Sequence, residues 1–228
     1  MKKVAIFDID GTVFRSSLLI ELVNGLVKEG VFPKTTPQKY QKEFNAWLDR
    51  KDTYEKYIEA VIKAFTENIK GVAYKDFIRV AETIVSGQKD RVYRYTRDLI
   101  KELKDKDYYL LAISQSPKGI LDEFCQELGF DKVYGRFYEL GPEDLFTGGI
   151  VDIHLIENKA NIVRRAVERE KLTLKDSIGV GDTEGDIPML EMVENPICFN
   201  PNMSLYKAAK RNNWKVVVER KDVTYNVQ

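Results

Sequence analysis

Two acidic clusters in this sequence have the spacing of a working site. Asp8-Ile9-Asp10-Gly11-Thr12 follows the apolar run Val4-Ala5-Ile6-Phe7 directly. Side chains alternate along an extended chain, so Asp8 and Asp10 face one side and Ile9 the other. Paired carboxylates at the end of a buried strand are costly unless something neutralises them. A divalent cation would do so, and an all-oxygen donor set favours Mg²⁺ over Zn²⁺. Gly181-Asp182-Thr183-Glu184-Gly185-Asp186 repeats the arrangement after Ser177 to Val180. Asp182 sits at the strand exit, and Asp186 is expected to cap a helix starting near Ile187, with Pro188 in its first turn. An acidic turn would account for either cluster alone. Two acidic strand exits in one sheet are more simply explained by Asp8 and Asp182 meeting at one cation.

Two further segments carry polar groups at element ends. Ser114-Gln115-Ser116-Pro117 follows the run Tyr108 to Ile113, and a serine before proline is a good helix start. Ser116 is then the expected cap, which leaves Ser114 free to bind an anion near a helix amino terminus. Lys159 stands where the next helix begins. A lysine there opposes the helix dipole, so a neighbouring anion would rationalise it, although taken alone it reads as a solvated surface charge.

The rest of the composition narrows the chemistry. The chain has 228 residues, and its 36 Lys plus Arg are offset by 36 Asp plus Glu, which argues against a broad basic face for nucleic acid or anionic membrane. The single histidine, His154, argues against histidine-rich metal sites, and His154 is assigned no catalytic role. Cys125 and Cys198 are too few for a disulfide scaffold and suit a reducing compartment. The amino-terminal apolar run breaks at Asp8, too short for a signal peptide, and no stretch reaches about 18 uncharged apolar residues. A cytoplasmic location is expected.

Positioning these groups requires strands that end together. Besides Val4 to Phe7, apolar runs occur at Tyr108–Ile113, Ser177–Val180, Ile197–Phe199 and Trp214–Val218, with a weaker one at Val133-Tyr134. Helical periodicity between several of them, as at Ile120–Leu128 and Ala160–Val167, predicts an α/β fold with a doubly wound, Rossmann-like parallel sheet. Between the first strand and Tyr108 lie roughly a hundred residues without a convincing strand, far more than one crossover needs. Stripes at Leu18–Val27, Tyr40–Leu48, Tyr54–Phe65 and Phe77–Ile84 predict helices there, the third preceded by a capping pair, Asp52 and Glu55. Residues 16–88 are therefore read as an inserted helical cap, and residues 1–15 and 89–228 as the α/β core. The segment Tyr138 to Ile156, with its Gly-Pro and Gly-Gly pairs, suggests a turn and short hairpin.

The order of these signals carries more information than any one of them. Asp-x-Asp-Gly-Thr, then Ser114, then Lys159, then Gly-Asp-x-x-x-Asp resembles the four-motif signature of the haloacid dehalogenase superfamily. The helical insertion after the first motif resembles that superfamily's first cap type. Phe146-Thr147-Gly148-Gly149, Gly181 to Leu190, and Asn200-Pro201 with Leu205, Ala209 and Trp214 resemble its phosphoserine-phosphatase-like IB branch. The resemblance covers essentially the whole chain and is weakest in the cap.

The resemblance implies a Mg²⁺-dependent phosphatase for a small phosphomonoester. In it Asp8 is the nucleophile that becomes an aspartyl-phosphate. Asp10 protonates the leaving alcohol and then activates water. Mg²⁺ is held by Asp8, the Asp10 main-chain carbonyl and Asp182, with Asp186 in support. Ser114 and Lys159 hold the phosphoryl oxygens, with backbone donors from Gly11 and Thr12. A carboxylate serves as such a nucleophile only where its repulsion with phosphate is offset. The sequence departs from phosphoserine phosphatases where an ammonium-contacting glutamate is expected, since Ser17 stands there. Their Ser-Gly-Gly is Ser114-Gln115-Ser116 here, and Thr183 to Gly185 replaces Gly-x-Asn. Phosphotransfer to an acceptor alcohol uses the same motifs and remains an alternative. A receiver-like signalling module is disfavoured by Asp10 and by the insertion, and a catalytically silent scaffold by the retention of every motif residue. The cap aromatics Tyr40, Phe44, Trp47, Tyr54 and Tyr57 would either line a cage for a cationic head group or form the bundle core, and their helical spacing favours the core. Arg15, Lys34, Lys39 and Lys42 would either select an anionic tail or face solvent.

Overall fold

A computed structural model describes residues 1–151 and 158–227. Its strands form one sheet in the order β4-β3-β2-β1-β5-β6-β7-β8. These are β1 (Lys3–Phe7), β2 (Tyr109–Pro117), β3 (Lys132–Leu140), β4 (Phe146–Val151), β5 (Thr173–Gly181), β6 (Asn195–Phe199), β7 (Lys215–Arg220) and β8 (Val223–Val227). The strands from β3 through β7 pair in parallel, while β4 and β8 close the two edges antiparallel. The sheet is the expected doubly wound α/β core. β1 is central because every residue from Val4 to Phe7 is buried, with Ala5 and Phe7 packed into one face and Val4 and Ile6 into the other.

The helices are α1 (Leu18–Lys28), α2 (Gln41–Leu48), α3 (Tyr54–Ile69), α4 (Tyr74–Gln88), α5 (Arg94–Asp105), α6 (Lys118–Leu128), α7 (Lys159–Arg169), α8 (Ile187–Leu190) and α9 (Met203–Asn212). The four predicted for the insertion appear as α1 to α4. Their buried stripes, such as Leu18, Leu22 and Leu26 on α1 and Tyr57, Val61 and Phe65 on α3, join one apolar cluster with the Phe7 face of the sheet. Side chains of α7, α8 and α9 cover the opposite face.

Local readings needed adjustment in several places. α3 is capped by Thr53, whose hydroxyl accepts from the Lys56 amide, while Asp52 accepts from Thr53 and pairs with Lys56. The capping pair Asp52 and Glu55 is thus displaced by one residue. β2 runs on to Pro117, and α6 begins only at Lys118 without a side-chain cap, so Ser116 lies at a strand end rather than on a helix cap. β8 has no counterpart among the predicted runs: its residues are exposed or half-buried on an edge strand, so no continuous apolar run marks it. The expected hairpin is β3 with β4, paired through Phe137 and Val151, Tyr138 and Ile150. Ile153, His154 and Ile156 lie outside the described residues.

Candidate active site

Register brings the motifs together before any side chain is considered. Phe7 pairs with Ala112 on one side and Val180 on the other, and the Asp8 amide donates to the Val180 carbonyl at 2.9 Å. Asp8, Ser114 and Asp182 therefore lie together toward the carboxyl ends of three adjacent strands, Ser114 still within β2. β1 is also where the chain's connections diverge to opposite sides of the sheet, the place where open α/β sheets bind ligands. Here they line a cavity of about 290 Å³, roofed by residues of α3.

Asp8 is 6 % exposed, and its Oδ1 accepts from Lys159 Nζ at 2.6 Å. The same ammonium donates to Asp186 Oδ1 at 2.5 Å. Lys159 is 5 % exposed, which overturns its reading as a solvated charge. Asp186 does not cap the helix at Ile187. Its Oδ2 turns back to accept the amides of Asp182 and Thr183 at 2.9 and 3.0 Å, tightening the turn that presents Asp182. Asp182 in turn accepts from the Thr12 hydroxyl at 3.2 Å.

The carboxylate oxygens of Asp8, Asp182 and Asp186 offer ligand atoms within 4.8 Å of one another. Three carboxylates face one ammonium, and Asp8 Oδ2 is buried with no hydrogen-bond partner. Burial, only partly offset by Lys159 and reinforced by Asp186 and Asp10, pushes Asp8 up to about 7. Burial and the charges of Asp8 and Asp186 likewise push Asp182 well above the carboxylate range. Burial opposes the Lys159 ammonium, but Asp186 and Asp8 outweigh it and hold its pKa above the ordinary lysine value. This is a site short of positive charge and rich in hard oxygen donors, which fits Mg²⁺.

The loop after β1 works by close approach. Gly11 has φ +82°, and a Cβ there would collide with Asp182 Oδ2, so the turn needs glycine on both counts. The expectation that Gly11 and Thr12 present amides to a phosphate is not met. The Gly11 amide donates to the carbonyls of Phe14 and Ser16, and the Thr12 amide to that of Ile9. Thr12 contributes instead through its hydroxyl to Asp182.

Asp10 lines the same cavity but points away from the cation site. Its Oδ1 accepts from the Leu18 amide at 2.5 Å, and its Oδ2 from the hydroxyls of Ser114 and Ser116 at 2.5 and 2.7 Å. Sequence reasoning missed Ser116 because a serine before proline has a sufficient local explanation.

It also missed the roof. Glu55, Ile58, Glu59 and Ile62 face the cavity from α3, a stripe at helical spacing beside the Tyr57, Val61 and Phe65 core stripe, against whose cluster Ile58 and Ile62 also pack. The cap aromatics form packing rather than a cage: Tyr57 stacks on Trp47 at 5.6 Å and touches Phe44 at 5.2 Å. Tyr54 alone among them lines the cavity, where burial and the charges of Asp10 and Asp182 raise its phenol above the ordinary range. Arg15, Lys34, Lys39 and Lys42 are not among the cavity-lining residues, and Lys39 pairs with Glu67 at the surface.

Comparison with known proteins agrees with this geometry. The family model of haloacid dehalogenase-like hydrolases matches residues 5–191. A histidinol-phosphatase of Neisseria meningitidis is 24 % identical over 226 residues, covering 95 % of this chain and 99 % of the relative. A phosphoserine phosphatase of Methanocaldococcus jannaschii is 22 % identical over 223 residues, covering 97 % and 94 %. Among solved structures, a Bordetella pertussis protein of unknown function superposes with TM-score 0.74 at 16 % identity, covering 95 % of this chain and 98 % of the other. A phosphoserine phosphatase solved as a phospho-aspartyl intermediate analogue superposes with TM-score 0.62 at 22 % identity, covering 97 % and 95 %. The chain belongs to the haloacid dehalogenase-like hydrolases, and the relatives and folds it resembles include phosphoserine phosphatases. Among the described residues no helix is long and apolar enough to cross a membrane.

Proposed function

We propose that this enzyme hydrolyses small phosphomonoesters in two steps through an aspartyl-phosphate on Asp8. The observation that carries the reading is Asp8 itself: one oxygen is fixed by Lys159, the other is buried and unpartnered, and both sit at the floor of the cavity. Asp8 attacks phosphorus as the bond to the ester oxygen breaks, and a proton from Asp10 passes to that oxygen so that the alcohol leaves. Asp10, now a carboxylate, takes a proton from water as the water oxygen attacks phosphorus. The bond to Asp8 breaks, restoring its carboxylate and releasing inorganic phosphate. Lys159 and the Ser114 hydroxyl hold phosphoryl oxygens during both steps. Asp8, the Asp10 carbonyl and Asp182, with Asp186 behind them, would hold Mg²⁺, which when bound neutralises charge between nucleophile and phosphate.

The roof bears on the substrate. Above Lys159 the cavity is lined by Glu55, Glu59 and Glu184 with Leu19, Ile58 and Ile62. This wall suits an alcohol with an apolar body and a cationic amine better than one with a second anionic group. Ser17 at the position expected for glutamate argues that free phosphoserine is not the preferred compound. The reducing environment suited to Cys125 and Cys198, both buried and free, supports a cytoplasmic enzyme.

Asp8→Asn tests the reading: turnover of p-nitrophenyl phosphate should fall by at least about 10³-fold with the circular dichroism spectrum unchanged. Retained turnover would remove Asp8 as nucleophile. A panel of phosphomonoesters should give kcat/KM at least about tenfold higher for amino-alcohol phosphates than for their uncharged counterparts. Preference for sugar bisphosphates would reverse the assignment of the roof.

A further inference from the structure

Asp10 sits in an unusual arrangement of donors. Both serines at the carboxyl end of β2 direct a hydroxyl at the same oxygen, Asp10 Oδ2. Each hydroxyl has its own acceptor capacity engaged by a backbone amide. Ser114 Oγ accepts from the Ser116 amide at 2.9 Å, and Ser116 Oγ accepts from the Leu19 amide at 3.2 Å. Each hydroxyl thus accepts from one amide and gives its single proton to Asp10. The two serines differ in what they connect. The amide that orients Ser114 belongs to its own strand end. The amide that orients Ser116 lies 97 residues away, in the first turn of α1, next to the Leu18 amide that donates to Asp10 Oδ1. Ser116 is only 3 % exposed, so water does not readily replace this bond.

We propose that Ser116 is the positioning residue for Asp10, holding its carboxyl group toward the leaving oxygen and tying that orientation to the first turn of α1. This rests on the phosphatase reading, in which Asp10 carries the proton. When a phosphoryl group enters, Ser114 turns its hydroxyl to that group, and Ser116 is the hydroxyl that stays on Asp10. Because α1 packs on α3 and α4, the same bond makes the orientation of Asp10 depend on the seating of the helical insertion.

The test exploits leaving groups. p-Nitrophenolate departs without a proton, whereas an alkoxide requires one, so loss of a correctly aimed acid slows alkyl phosphates selectively. kcat/KM reports steps only through departure of the alcohol, which keeps the later hydrolysis out of the comparison. In Ser116→Ala, kcat/KM for an alkyl phosphate such as phosphoethanolamine should fall by about tenfold or more, and that for p-nitrophenyl phosphate by less than about threefold. In an Asp10→Asn background the same substitution should add nothing, since the two groups act as one unit. Equal losses on both substrates would overturn the proposal, and so would an undiminished effect in the Asp10→Asn background, because either result makes Ser116 a packing residue. Failure of the phosphatase reading is recognised separately, by wild-type enzyme that turns over neither ester.

Discussion

At the floor of the cavity Lys159 bridges Asp8 and Asp186 at 2.6 and 2.5 Å, with all three side chains under 10 % exposed. The insertion that covers this floor has no comparable ion pair among its described residues. Its pairs, such as Lys39 with Glu67, are half-exposed, and its interior is apolar, with an aromatic cluster around Tyr57. The floor keeps charges that burial disfavours, and it holds them only because each compensates another. The roof buries rings whose contribution is non-directional and tolerant of small shifts. The floor thus trades stability for reactivity, while the roof supplies stability and shape.

Removing the one cation of the floor should break this contrast most severely. Lys159→Ala leaves Asp8 and Asp186 buried together, so activity should fall by at least about 10³-fold and unfolding free energy by about 3–5 kcal/mol in metal-free buffer. Chemical denaturation and steady-state kinetics measure both, and an unchanged stability would contradict the charge balance described here. Tyr57→Ala should do the opposite. Truncating a buried ring costs about 3 kcal/mol of stability, but kcat/KM of the folded enzyme for p-nitrophenyl phosphate should stay within about threefold. A loss of activity as large as that of Lys159→Ala would mean that the aromatic cluster serves chemistry.

Metal and pH sharpen the same comparison with a smaller effect. Asp8 is raised to about 7 when folded and returns to about 3.9 when unfolded. Between those values the folded state holds the extra proton, so metal-free stability should fall as pH rises through that window and level off above it. Mg²⁺ competes with that proton. At about 100 times its Kd the stabilisation approaches about 2.7 kcal/mol, and the melting temperature rises by several degrees, more at about pH 7.5 than at about pH 5. Glu55, also raised to about 7 by burial and by Glu184, follows the same slope but contributes it with or without the metal. An increment equal at both pH values would mean that the cation does not displace protons from Asp8 and its neighbours.

Much of this was legible in the residues. Short, largely apolar runs marked β1, β2, β5, β6 and β7 because strands buried on both faces admit few polar residues. Helical stripes marked α1 to α4 for the related reason that each buries one face. The two acidic motifs and their convergence were readable because an acidic turn explains either one alone but not two at strand exits of one sheet. β8 was illegible, being an edge strand with one wet face. Taken alone Lys159 reads as a solvated charge, and only motif order places it in the site, because its burial comes from Asp8 and Asp186, which lie 151 and 27 residues away in sequence.

The sequence alone determined the family, the sheet and the chemical inventory of the floor, since local periodicity and motif order are properties of the chain. Only the tertiary structure decided which donor faces which acceptor. It turned Asp186 inward, used Gly11 for clearance rather than for donation, and put Ser116 on Asp10 instead of on a helix cap. It also selected Glu55 and Glu59, from a helix whose adjoining face is core, to overlook the site. Such pairings depend on distances between residues far apart in the chain. Packing sets those distances, and no local pattern encodes them.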